Sequence, residues 1–206
     1  MQGGDGRMIQ TNEVVSIDLG CGPKKKEGYL GIDYSKYDGV DYVIDLTRDR
    51  FPFEDKSVDN IHSSHFIEHI RTPDHVFSEI GRVAKDGATL EMWHPYSFHS
   101  DAFLYGHEIF LNENHWYEIC VNHPEHYYSM IKSRWLLNRV VYVVEKSVYD
   151  EITTNGFDIG FAIKYFKNIV KEIGIFVTIR TSMEHDNIIP DLYYAFGRNL
   201  EAHKIE

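Results

Sequence analysis

Apolar positions along the 206-residue chain fall in two rhythms. Short apolar runs alternate with longer stretches near the 3.6 period, a succession that predicts a mostly parallel sheet with helical crossovers. "EVVSIDL" (13–19), "YLGID" (29–33), "DYVIDL" (41–46) and "VDNIHSSH" (58–65) read as the first four strands, each ending in polar or acidic residues. Open α/β sheets bind ligands beyond the carboxyl ends of their strands, so function is expected there. Over 66–87, the positions Phe66, Ile67, Ile70, Val76, Phe77, Ile80 and Val83 predict a helix broken or restarted near Pro73 and stopped by Gly87. "ATLEMWH" (88–94) is the fifth predicted strand, and "FDIGFAIKYFKNIVKEIG" (157–174) a second amphipathic helix closed by Gly174. "IFVTIRTS" (175–182) and "DLYYAFGRN" (191–199) complete a doubly wound, seven-stranded α/β sheet as a pair. Between the fifth strand and the second amphipathic helix, from about His94 to Asp150, an aromatic- and histidine-rich segment follows neither rhythm, and is expected to be a substrate-binding insertion or lid.

Composition narrows this picture. A chain of this length suits one domain over 1–206, with residues 1–10 a flexible tail. Hydrophobic residues make up 43% and aromatics 14%, enough apolar surface to offset the entropy of folding. The net charge of -11 argues against nucleic acid as a partner. No apolar run is long enough to span a bilayer, and two cysteines without a leader-like start fit a reducing cytoplasm. The oligomeric state is left open.

The chemistry gathers first in "IDLGCGPKKKEGYLGID", residues 17–33. Gly20 and Gly22 match the start of a dinucleotide fingerprint, but Lys25 stands where the third glycine belongs, and Asp33 follows Gly20 by only 13 residues rather than about 20. A P-loop fails as well, since Glu27 occupies its second glycine position and Gly28 is followed by Tyr29. A cofactor without phosphates relaxes both requirements.

At this point the chain resembles the class I S-adenosylmethionine-dependent methyltransferases, which are Rossmann-like, strongly over Val14–Leu90 and weakly beyond. "VVSIDLGCG" is similar to their first motif, and "PFEDKSVDNI" and "RVAKDG" to later ones. The resemblance implies that the backbone of Gly20, Cys21 and Gly22 wraps the methionine portion, with Asp18 as an acceptor beneath it. It further implies Asp33, with neighbouring Tyr34, at the ribose, Asp45 and Leu46 at the adenine, and Ser64 and His65 beside the cofactor. Only ten residues separate Leu19 from Leu30, too few for the usual crossover helix, which is similar to a bacterial subset with an abbreviated loop acting on sugars or natural products. Lys24, Lys25 and Lys26 either face water or reach the methionine carboxylate.

Two histidine clusters remain. In "HSSHFIEH" helical spacing brings His65, Glu68 and His69 together, and His94 can complete a ligand set similar to that of the metal-binding small-RNA terminal methyltransferases. Many metal-free relatives carry a similar stretch, so the favoured reading is no metal. After the fifth strand, His94, His99, Asp101 and His107 are candidate catalytic groups, with His94 as base and His99–Asp101 as a base-orienter pair; the alternative is that they cap turns. Trp93, Trp116, Tyr117, Tyr127, Tyr128 and Trp135 either shape an acceptor pocket or join the core. The expected activity is methyl transfer from S-adenosylmethionine to an oxygen or nitrogen of a small molecule, leaving S-adenosylhomocysteine. The alternatives are metal-assisted methylation of a nucleic-acid terminus and a non-catalytic adenosylmethionine-binding module.

Overall fold

The computed structural model describes residues 14–184 and 188–205; the expected tail over 1–10 lies outside them. β1 (Ser16–Leu19) is the strand from which the sheet grows in both directions. It pairs in parallel with β2 (Leu30–Asp33) on one side and with β4 (Val58–Ser64) on the other. β3 (Tyr42–Val43) continues beyond β2, and β5 (Ala84–Pro95) lies parallel to β4. Farther out, β7 (Val170–Arg180) runs antiparallel to β5, and β6 (Arg134–Val144) antiparallel to β7. β8 (Asp191–Ala195) then adds in parallel to β6, with β9 (Ala202–Lys204) antiparallel at the edge. The order is β3-β2-β1-β4-β5-β7-β6-β8-β9, and the direction of winding reverses between β1 and β4. That reversal opens a crevice at the strands' carboxyl ends.

The expected α/β sheet is present, with nine strands in place of seven. The added strands have physical causes. β6 falls inside the segment 94–150, where "RWLLNRVVYVV" is buried at nearly every position, so its apolar residues show no alternation against solvent. It lies between β7 and β8, which therefore do not pair with each other as expected. The predicted helix over 157–174 holds only to α5 (Ile159–Tyr165), because Val170, Ile173, Ile175, Val177 and Ile179 are core residues of β7. Gly174 closes no helix; it lies opposite Trp93, whose ring would stand 2.5 Å from an added Cβ. Similarly, the predicted helix over 66–87 becomes a 3-10 turn at Ile67–His69 and α1 (Asp74–Val83), broken before Pro73 as expected. β5 begins directly at Ala84, leaving Gly87 within the strand at φ +85°. The third strand shrinks to Tyr42–Val43 because Asp45 turns the chain, accepting from the backbone and hydroxyl of Thr47.

The main core lies on the helix-covered face. Phe77 of α1 packs edge-on against Trp135 of β6 and tilts toward Trp116 of α2 (Glu113–Tyr117). α3 (Pro124–Ile131) crosses α1 at Gly81, while α4 (Lys146–Thr154) brings Tyr149 onto Tyr194 of β8. Trp116 and Trp135 are thus core residues, each 1% exposed. On the other face, Ser16, Asn60 and Thr89 form a hydrogen-bonded row across β1, β4 and β5.

The α1–α3 crossing has no spare volume. An added Cβ at Gly81 would lie 1.8 Å from the Ile131 carbonyl oxygen. Gly81→Ala is expected to lower unfolding free energy by about 3 kcal/mol, above the usual cost of one methyl because the obstacle is backbone. Urea denaturation checks this, and an unchanged midpoint would refute the close crossing.

Candidate functional site

The glycine turn after β1 is held by carboxylates. Gly20 and Gly22 adopt φ +63° and +53°, a region that glycine enters without Cβ strain. The amides of Gly20 and Cys21 both donate to the Ile32 carbonyl. Asp33, 6% exposed, accepts from the Gly22 amide at 2.9 Å and from the Ser35 amide at 2.9 Å. Asp18, 2% exposed, accepts from the Lys26 amide at 2.8 Å, and its other oxygen meets His62 Nδ1 at 2.7 Å. Ten residues thus close the crossover without a helix.

A cavity of about 520 Å³ occupies the crevice above this turn. Of the expected cofactor residues, Gly20, Gly22, Asp33, Tyr34, Asp45, Leu46 and His65 line it, joined by Phe66, His69 and Ile70. Thr47 and Arg48 hold the Asp45 carboxyl below its ordinary value, chiefly through the Thr47 hydroxyl and amide. Among the described residues lining the cavity there is no lysine or arginine. Asp33 and Asp45 supply acceptors suited to the ribose hydroxyls and exocyclic amine of a nucleoside, and His65 is a lining group that carries a positive charge. Space is open where a Cβ of Gly22 would be, so the backbone can approach such a ligand closely.

Asp18, Cys21 and Ser64 are placed elsewhere, on a second hollow of about 440 Å³ that also takes Lys24, Lys26, His62, Glu91 and Arg198. Lys26 pairs there with Glu91 at 2.6 Å, while Lys25 pairs with Asp41 at 2.8 Å. Burial pushes the Cys21 thiol up to about 11, so it is no nucleophile at neutral pH.

His65 stands at the junction of the cofactor cavity and a third one of about 330 Å³, which Pro95, Asp101, Glu145, Lys171, Glu172 and Phe196 also line. Its backbone sits at φ +52°, uncommon for a side chain with a Cβ, and its amide donates to Trp93 O. The ring contacts Glu172 at 2.9 Å and Glu68 at 3.1 Å; these bonds raise its pKa to about 9, so it is an imidazolium at neutral pH. Arg198 binds Glu172 in turn and donates to Ser64 Oγ at 2.7 Å. Glu172 and Arg198 escaped sequence reasoning, the first because it lay in the predicted helix. His62 and Glu91 were visible only as the alternate positions of β4 and β5.

The proposed catalytic group separates. His94 is fully buried; Trp116 Nε1 donates to its Nε2 at 3.0 Å, and its Nδ1 donates to the Pro95 carbonyl. Both ring nitrogens are engaged inside the core, leaving neither for a substrate proton or a metal. His99 caps a 3-10 turn by accepting from the Asp101 amide, and its ring lies 3.5 Å from the Asp101 carboxylate. His107 stacks edge-on against His69 with centroids 4.9 Å apart. Trp116 and Tyr127 line a separate apolar cavity with Phe77 and Ile109.

A sheet of this order with an acid-lined crevice at its switch point is a Rossmann-like architecture, in which ligands bind at that crevice. Residues 17–92 match the family model described as a methyltransferase domain. Among solved structures, an Archaeoglobus fulgidus SAM-dependent methyltransferase is similar at 14% identity and a TM-score of 0.51, with 81% of this chain and 86% of that chain covered. Geranyl diphosphate C-methyltransferase from Streptomyces coelicolor, in complex with Mg2+, geranyl diphosphate and S-adenosyl-L-homocysteine, is similar at 13% identity and 0.52, covering 81% and 73%. The Haloferax volcanii complex of the Trm112 methyltransferase activator with a methyltransferase is similar at 15% and 0.52, covering 87% of each chain. No curated protein matches the chain. Residues 17–92 thus match a methyltransferase domain, and the chain shares the fold of these solved methyltransferases. Among the described residues no helix is long and apolar enough to cross a membrane.

Asp33→Ala removes the carboxylate from the cavity wall and from the Gly22 amide, and is expected to weaken S-adenosylmethionine binding by about 1–3 kcal/mol in calorimetric titration; unchanged affinity would place the ribose elsewhere. Burial lowers the His94 imidazole to about 4, so below its unfolded value of 6.5 the unfolded chain takes up a proton that the folded chain does not. The resulting stability is complete above pH 6.5 and is lost as pH falls toward 4. Between pH 7 and pH 5 this amounts to roughly 2 kcal/mol, absent in His94→Gln, and urea midpoints of both proteins at the two pH values measure it.

Proposed function

We propose that this methyltransferase acts on an oxygen or nitrogen of a small molecule held in the cavity of about 330 Å³ that adjoins the cofactor cavity. The observation that carries this reading is that His65 lines both, so a ligand in each would meet across one side chain. Bound S-adenosylmethionine supplies a methyl group on a sulfonium, already a good leaving group, so positioning outweighs acid-base chemistry. The size of the cavity suits a single ring or short chain, and its polar wall of Asp101, Glu145, Lys171 and Glu172 suits a hydroxylated or amino acceptor.

The residues divide the work. Glu172 is committed to Arg198 and His65, and Glu145 lies 3.4 Å from Lys171. Asp101 has only His99 as an ionic partner among the described residues, which makes it the carboxylate available to take the proton an attacking hydroxyl or ammonium must lose. The Asp101 amide donates to His99 Nδ1, which fixes the backbone that carries the carboxylate. His65, held as a cation, positions acceptor oxygens and takes no proton. The net reaction moves the methyl group to the acceptor, releases its proton to Asp101 and leaves S-adenosylhomocysteine.

A screen of sugars, amino sugars, phenols and small amines, with transfer RNA and a mixed protein substrate alongside, tests this by S-adenosylhomocysteine release. Turnover is expected with a small hydroxyl or amine, falling about 10²-fold in Asp101→Asn while cofactor affinity stays constant. Transfer confined to RNA, to protein or to carbon would overturn it.

A further inference from the structure

Beside the cofactor cavity, one buried carboxylate oxygen lacks a partner. Glu68 is 3% exposed; its Oε1 meets His65 Nδ1 at 3.1 Å, while Oε2 has no hydrogen bond among the described residues. A buried carboxylate oxygen without a donor is costly, and such atoms in native folds are commonly satisfied by an ion or a water.

Two histidines cluster with Glu68. A donor atom of Glu68, of His69 and of His107 can be chosen so that all three lie within 4.8 Å of one another. The rings of His69 and His107 meet edge-on with an interplanar angle of 80°. Each uses Nδ1 toward a backbone carbonyl, His69 with Gly106 O at 2.9 Å and His107 with Ala102 O at 3.0 Å. A carbonyl can only accept, so each Nδ1 carries the hydrogen and each Nε2 keeps its lone pair. That is how metal-binding histidines are oriented: the second nitrogen is tied down, fixing the tautomer and aiming the first.

The backbone supports the same arrangement. Glu108 N and Ile109 N both donate to the Glu68 carbonyl, at 2.7 and 3.3 Å, which fastens the loop carrying His107 to the turn carrying Glu68 and His69. Gly106, at φ +93°, gives the loop its turn directly before His107. These contacts join residues about 40 positions apart, so the cluster belongs to the fold and is no accident of one helix face.

We infer that Glu68, His69 and His107 bind one divalent transition ion of the zinc class. Two imidazole nitrogens and one carboxylate suit zinc or its first-row neighbours, whereas magnesium and calcium call for oxygen ligands. Helical spacing in "HSSHFIEH" brings His65 into the expected ligand set and the resemblance to metal-binding relatives brings His94, but His65 spends its ring on Glu68 and Glu172, and His94 on Trp116 and Pro95. His107 takes the vacated place. Three protein ligands leave a coordination position for water or an acceptor oxygen, and His69 also lines the cofactor cavity, so the ion borders the site of methyl transfer.

Binding is read without cofactor or acceptor, so its outcome is separate from that of the proposed reaction. The full chain, freed of metal by chelation, is titrated with zinc in a calorimeter and with cobalt(II) by visible absorption. One ion per chain is expected, with affinity falling about tenfold or more in both Glu68→Gln and His107→Gln and unchanged in His126→Ala, an exposed histidine outside the cluster. Circular dichroism and melting of the metal-free proteins establish that the variants fold; should Glu68→Gln fail to fold, His107→Gln decides alone. Wild-type affinity in the folded variants, no zinc or cobalt binding by the wild type, or tighter binding of magnesium than of zinc would each overturn the assignment.

Discussion

Everything at the site rests on two buried carboxylates doing the work of a missing helix. In a usual parallel crossover a helix satisfies its own amides and presents its first turn to the cofactor. Here ten residues join β1 to β2, and Asp18 and Asp33 accept from the amides of Lys26 and Gly22. The strand next door contributes the Ile32 carbonyl to Gly20 and Cys21. Farther along, Asp41 accepts from both the Lys25 ammonium and the Gly31 amide, so the loop is fastened to β2 as well. Charged acceptors make stronger hydrogen bonds to amides than neutral ones, and burial keeps water from competing.

This substitution decides where charge goes. Lys25 and Lys26 pair with Asp41 and Glu91 and do not line the cofactor cavity, whose wall combines Asp33 and Asp45 with His65, His69 and aromatic or apolar groups. With no lysine or arginine in that wall among the described residues, a pyrophosphate finds no guanidinium or ammonium to pair with. On the far side, the chain from Glu172 through His65 to Glu68 alternates acid and imidazolium, and Arg198 anchors its outer end.

Much of the carboxyl-end architecture was legible in the sequence. Strands β1, β2 and β4 were legible because short apolar runs ending in glycine or acid leave a strong local mark, and the residues that the resemblance to class I methyltransferases implies at their ends, Gly20, Gly22, Asp33, Asp45 and Leu46, line one cavity. β6 was missed, and the first residues of β7 were read as helix, because central strands covered on both sides are apolar throughout, and a short apolar run has no period to distinguish strand from helix. Asp18 illustrates a subtler limit. Its position was legible, yet its partners, the Lys26 amide and His62, depend on how the loop folds back. His94 looked catalytic by its place at the end of β5, but Trp116, more than twenty residues on, encloses it. Glu172, Arg198 and His107 are assembled from distant stretches, and no local pattern announces such a meeting.

The placement of His65 has a thermodynamic consequence. One side chain forms part of the wall of two cavities, and its left-handed backbone with two carboxylate partners leaves it few alternative positions. A ligand of the smaller cavity that displaces this ring changes the free energy of filling the larger one. Linkage makes the effect reciprocal, so the cofactor alters the affinity for that ligand by the same factor. Order of addition therefore changes the path by which the two are loaded, while the coupling between them is a property of the wall they share.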